Sequence, residues 1–235
     1  MTKNEKAAWI AESARKSARA AFRQAYERVQ VDPEKYLRQL RDSYRLPIRS
    51  WVEMQRLDEQ VPNAISERVI GSATRAAALE GLGLGVGGLL TILPDMGILS
   101  AITVRMLQRL SLIYGFEYAT DREVAAFWMA AASAAGLDLG RDFLEKQAVE
   151  RVAPRIIDAM AVKVGAEVAE KWASRVIPIL SAGAAATLNY YFVRSWGRRA
   201  RKHFLERHRA LRTASVEIRA PQNLLTMPHV LRENS

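Results

Sequence analysis

Residues 83–88, Gly83-Leu-Gly85-Val-Gly-Gly88, spell G-x-G-x-x-G, the spacing whose glycines let a backbone approach a pyrophosphate at the start of a helix. That chemistry needs a β-strand directly before the glycines. Here the preceding SERVIGSATRAAALE is helical in pattern, and Pro94 interrupts the chain soon after Gly88. A Walker-type phosphate loop fails as well, because no Lys-Ser/Thr pair follows the glycines. No cofactor is expected.

The remaining reactive groups are few. Imidazole comes only from His203, His208 and His229. The first two are five residues apart rather than the four that share a helical face, and they lie among arginines that repel a cation. They read as solvated surface residues, and no metal is expected. Asp95 follows Pro94 and reads as a helix N-cap before it reads as a general base; Glu80 is the other isolated acid bordering the glycine-rich run. No G-x-S-x-G nucleophile motif is present, and the absence of cysteine removes thiolate chemistry, disulfides and Cys-based zinc sites. An enzyme acting on a lipid-like substrate, with Asp95 and Asn189 meeting in an apolar pocket, stays open as an alternative.

The elements that must position these groups are helices. From Glu5 to about Gln30, Ile10, Ala14, Ala18, Ala21, Phe22, Ala25 and Tyr26 recur at intervals of three and four, with Arg15, Lys16, Arg19, Arg23 and Arg28 between them. Asp32-Pro33 predicts a restart, with Asp as N-cap and Pro in the first turn. A helix from about Asn63 runs into the glycines, where each costs roughly 1 kcal/mol relative to alanine. Pro94-Asp95 then predicts a second restart, leading to a stripe through Ile98, Ile102, Met106, Leu110 and Ile113 that ends at Tyr114-Gly115. Thr120 and Glu123 match a capping box for a helix ending at Gly136. Beyond Thr213 no helical period remains, and the tail is expected to be extended or disordered.

Charge narrows the partner. Lys+Arg number 35 against 25 Asp+Glu, a net charge of +10 that favours a polyanion, either nucleic acid or an anionic membrane. The N-terminus carries charges throughout and lacks the apolar run of a secretory signal, so a cytoplasmic location is expected. Two stretches are almost free of charge. Residues 81–93 are too short for the roughly 20 residues that span a bilayer; residues 176–193 meet the crude length of a transmembrane candidate but are rich in alanine and contain Pro178. The second stretch leads into Tyr190, Tyr191, Phe192 and Trp196, then Arg194, Arg198, Arg199, Arg201 and Lys202. Aromatics beside cations suit a headgroup region, or else the aromatics are core and the arginines a solvated face. Nucleic acid accounts for the basic run but not for the uncharged stretch it continues.

Two stretches resemble the EcsC family of bacterial proteins. One is the glycine-rich run, Leu93-Pro94-Asp95, then Arg105, Gln108 and Leu110 up to Tyr114-Gly115-Phe116. The other starts near Lys171 and includes Ile177-Pro178, Gly183, Asn189-Tyr190, Gly197, Ala200-Arg201 and His203-Phe204. The resemblance covers about residues 60 to 210. It implies an all-helical protein, named after a gene beside an ABC-transporter operon, with no agreed reaction.

These readings combine into an all-α chain: N-terminal amphipathic helices over 1–58, an EcsC-like helical domain over 59–212, and a tail over 213–235. Within it, two Gly/Ala-rich apolar helices, 81–104 and 176–193, are expected to pair at the centre, wrapped by amphipathic helices. Gly83, Gly87, Pro94, Asp95, Gly183 and Asn189 are the expected pocket or helix-contact residues. Arg194, Arg198, Arg199, Arg201 and Lys202 are the expected anionic-lipid contacts of a non-enzymatic protein held peripherally at the inner face of the cell membrane. A membrane protein such as an ABC transporter is a further candidate partner.

Overall fold

A computed structural model describes residues 3–28, 30–84, 89–118, 120–137, 153–163, 166 and 182–219. In chain order the helices are α1 (Lys3–Arg28), α2 (Pro33–Tyr44), α3 (Trp51–Met54), α4 (Gln60–Leu84), α5 (Leu89–Ile113), α6 (Asp121–Ala134), α7 (153–163) and α8 (Ala182–Arg219). No strand occurs among the described residues, and the fold is all-α as expected.

Local signals account for most helix ends. Asp32 Oδ1 accepts from the Lys35 amide at 3.0 Å, with Pro33 in the first turn, so α2 starts where the sequence places it. Thr120 and Glu123 close the capping box on α6. α5 ends in a left-handed Gly115, whose amide reaches the Leu112 carbonyl while the Phe116 amide reaches that of Ser111. Gly136 ends α6 in the same way, with bonds to Ser133 and from Leu137 to Ala132.

Three boundaries differ from expectation. α5 begins at Leu89 and continues through Pro94-Asp95, so Asp95 is an interior helical residue and not an N-cap. Pro94 forfeits the amide bond to the Leu90 carbonyl, a cost on the order of 3 kcal/mol that packing of α5 against α1 and α4 must offset. α8 extends to Arg219, past the Thr213 at which the tail was expected; residues 220–235 lie outside the described residues. α4 begins at Gln60, ahead of the Asn63 from which that helix was expected. Residues 138–152, 167–181 and the glycines at 85–88 also lie outside the described residues, so the readings of 176–181 and Gly87 are not addressed.

The centre holds three helices rather than two. Ion pairs Glu59–Arg209 and Glu67–Arg201 run α4 antiparallel to α8, and Met106 against Gly197 together with Tyr114 against Phe204 sets α5 parallel to it. The three helices meet at Gly197, where a Cβ would lie 2.9 Å from Ile70 Cγ1 and 3.0 Å from Met106 Sδ. Only glycine permits that approach. α1 lays Ala14, Ala18, Ala21, Phe22 and Ala25 inward and keeps its arginines outside, as its period predicts; it packs against α5. Phe22 stacks on Trp196 with ring centroids 5.6 Å apart, tying α1 to α8 as well.

Candidate functional site

The α4–α5–α8 bundle has two unlike ends. One, around Tyr114, is polar and closed. The Tyr114 hydroxyl donates to Asn63 Oδ1 at 2.7 Å and lies 3.2 Å from the Ser66 hydroxyl, while its ring stacks on Phe204. Gln55 Nε2 donates to the Gly115 carbonyl at 2.6 Å, and Gln108 Oε1 accepts from the Val31 amide at 3.1 Å. Tyr114, Gly115, Phe116, Gly197, Arg201 and Phe204, all in the two stretches that carry the family resemblance, are thus packing and bridging residues. None of them composes a reactive constellation.

His208 belongs to this end and corrects the surface reading. It is fully buried, and its Nδ1 donates to the Tyr114 carbonyl at 3.3 Å, since a carbonyl can only accept. The Nε2 atom has no partner among the described residues. Burial lowers its pKa, as does Arg212, against the opposing effects of the Tyr114 carbonyl and Glu59; burial lowers that of half-buried His203 too. A folded-state pKa below the ordinary 6.5 means that the unfolded chain binds more protons. Stability is therefore full above about pH 6.5 and declines as pH falls through the lowered value. Chemical denaturation from pH 8 to 5 should show that decline, and His208→Phe should reduce it; an unchanged slope in the variant would assign the decline to other groups. Among the described residues no cluster of His, Asp or Glu could hold a metal.

The opposite end carries the uncharged segments. Gly83 is helical within α4 and Gly183 within α8, so the glycines follow a helix and the strand required by a dinucleotide loop is absent there. Pro94 and Asp95 lie in α5, and Asn189 is buried in α8. Sharing of one pocket by these residues is not seen, because the side chain of Asp95 lies outside what is described.

The expected lipid contacts divide. Arg199 Nε donates to the Ala134 carbonyl of α6, and Arg201 pairs with Glu67 of α4, so both serve the fold. Arg194 lies over the Tyr190 ring and donates to its hydroxyl at 3.0 Å. Arg198 and Lys202 are exposed on the outer face of α8, Lys202 with Glu206 at 3.9 Å. The aromatics divide too. Trp196 is core, Phe192 packs on it at 4.8 Å, and Tyr191 is exposed. Sequence reasoning missed Arg75 and Arg105, which are exposed on α4 and α5 near the level of Arg194 and Arg198. Their signal was helical spacing from exposed apolar residues, Arg75 to Leu79 and Ile98 to Arg105.

No helix among the described residues is long and apolar enough to cross a membrane. Comparison with curated proteins and with solved structures finds no match to either. The model of the EcsC protein family matches residues 2–209, including the N-terminal helices that the resemblance in sequence left out. From α1 through most of α8, this chain belongs to the EcsC protein family.

Proposed function

We propose that this chain is a non-enzymatic protein that binds peripherally to an anionic membrane surface at the cytoplasmic face. The observation that carries the reading is the continuity of α8. An uncharged stretch, 182–193, passes without a break into a basic one whose Arg198 and Lys202 are exposed and whose Arg194 is half-buried over Tyr190. A lipid surface accounts for both halves of that helix, whereas nucleic acid accounts only for the basic half. The apolar reading of Tyr191 as a headgroup residue fits its exposure, and the core position of Trp196 removes it from the interface.

The test is co-sedimentation with vesicles. The protein should pellet with phosphatidylglycerol-containing vesicles, stay in solution with phosphatidylcholine alone, and release as salt rises. Replacing Arg194, Arg198 and Lys202 with glutamine removes three cations, each contributing about 1 kcal/mol near an anionic surface. Binding should weaken roughly a hundredfold. Arg199 and Arg201 are left in place because their replacement would disturb contacts to α6 and α4. Equal recovery in both supernatants would sink the reading, and a stronger shift with nucleic acid than with anionic vesicles would move it to the alternative partner.

A further inference from the structure

We infer that the α4–α5–α8 end is built to enter one leaflet of the bilayer, with a ring of arginines at phosphate level stopping it there. The inference rests on the membrane reading above and adds which surface inserts, how deeply, and which residues outside α8 take part.

The three helices meet at Ile70, Met106 and Gly197, and their directions are set by Glu59–Arg209, Glu67–Arg201 and the Tyr114 contacts. From that level, later residues of α4 and earlier residues of α5 and α8 advance toward the same end. Leu79 and Leu82 lie nine and twelve residues onward, Ile98 eight and Tyr191 six, so at 1.5 Å per residue they stand roughly 9 to 18 Å beyond the crossing. All four are large, apolar or aromatic, and exposed: 68%, 49%, 47% and 62% respectively. Arg75, Arg105 and Arg198 stand within about 8 Å of the crossing level.

Each helix repeats one device. Arg75 precedes Leu82 by seven residues, Ile98 precedes Arg105 by seven, and Tyr191 precedes Arg198 by seven. Seven residues are two turns, so on each helix an exposed arginine shares a face with an exposed apolar side chain about 10 Å nearer the tip. None of these arginines is ion-paired among the described residues, whereas Arg201 and Arg209 toward the other end are matched to Glu67 and Glu59. Between Arg75 and Arg105 the acids are Glu80 and Asp95, and 182–193 has no charge. Unmatched cations ranked behind an apolar end complement an anionic surface with hydrocarbon beneath it. The farthest of these exposed apolar residues, Leu82, stands about 18 Å beyond the crossing, which is on the scale of one leaflet and far from a 30 Å hydrocarbon core.

The chain has no cysteine, so single thiols can be placed without background. Leu82→Cys, Ile98→Cys and Tyr191→Cys carry an environment-sensitive fluorophore, with Val52→Cys, at the far end beside Gly115, as the exposed control. On equal parts phosphatidylglycerol and phosphatidylcholine, the three tip labels should shift to the blue and lose most of their emission to nitroxide-labelled acyl chains, and the Val52 control should do neither. In parallel, Arg75→Gln with Arg105→Gln should weaken vesicle binding roughly thirtyfold. Tip labels that stay aqueous while the protein pellets overturn insertion and leave surface binding standing. Quenching at Val52 instead overturns the orientation. Blue shifts that grow with protein concentration in the absence of vesicles make the end a contact between copies, and failure to pellet at all removes both this inference and the reading beneath it.

Discussion

Replacing Trp196 with alanine is expected to cost about 3–5 kcal/mol and to lower the melting temperature on the order of 10 °C. The indole is almost fully buried, lies parallel to Phe22 of α1 at 5.6 Å, and receives Phe192 at 4.8 Å. Truncation therefore removes apolar area and leaves a void where α1, α5 and α8 approach one another, and neighbouring Gly197 has no side chain to fill it. Trp196→Phe retains a ring against Phe22 and should lose markedly less. Denaturant midpoints of the two variants decide the matter; a loss below about 1 kcal/mol for Trp196→Ala would mean that Trp196 is an interfacial residue after all.

The second large effect is a contrast between two glycines with almost the same backbone. Gly115 and Gly136 have φ of 81° and 77°, so alanine at either incurs the left-handed cost of about 1–2 kcal/mol. At Gly136 that is the whole cost, since the nearest atom to an added Cβ is Lys163 Cε at 4.0 Å. At Gly115 the Cβ would meet Gln55 Cγ at 2.4 Å and the Trp51 carbonyl oxygen at 2.9 Å. Relief requires moving Gln55, whose amide donates to the Gly115 carbonyl, or shifting α3 as a unit. Gly115→Ala should then lose about 3 kcal/mol or more against about 1 kcal/mol for Gly136→Ala. Equal losses would mean that α3 yields freely and that the Gln55 contact contributes little.

The proposed interface depends on these buried elements. Trp196 and Gly197 set the rotation of α8, and that rotation decides that Arg198 faces out while Arg199 is turned toward α6. A variant that loosens this packing should lose vesicle binding in step with stability, whereas the glutamine variants of Arg194, Arg198 and Lys202 should lose binding with stability intact.

What the sequence by itself determined is the set of features with local causes. Asp32-Pro33, the Thr120–Glu123 box and the stops at Gly115 and Gly136 act within four or five residues, so their physics is complete in the chain's own order. The apolar period of α1 was readable for the same reason. Where local rules met packing, they were overridden: Pro94 reads as a break, yet α5 continues through it.

Only the tertiary structure decided which of several equivalent residues face inward. His203 and His208 stand in the same arginine-rich run, and nothing nearby separates them. The Tyr114 carbonyl, 94 residues distant, makes His208 a buried donor. Arg198, Arg199 and Arg201 are likewise alike in sequence, and partners at Ala134 and Glu67 withdraw two of them from the surface. The alignment of Leu79, Leu82, Ile98 and Tyr191 at one end, ahead of Arg75, Arg105 and Arg198, needs the relative direction of three helices. Direction and register are fixed by side-chain contacts between distant segments, and helical periodicity specifies a face but not the neighbour that covers it.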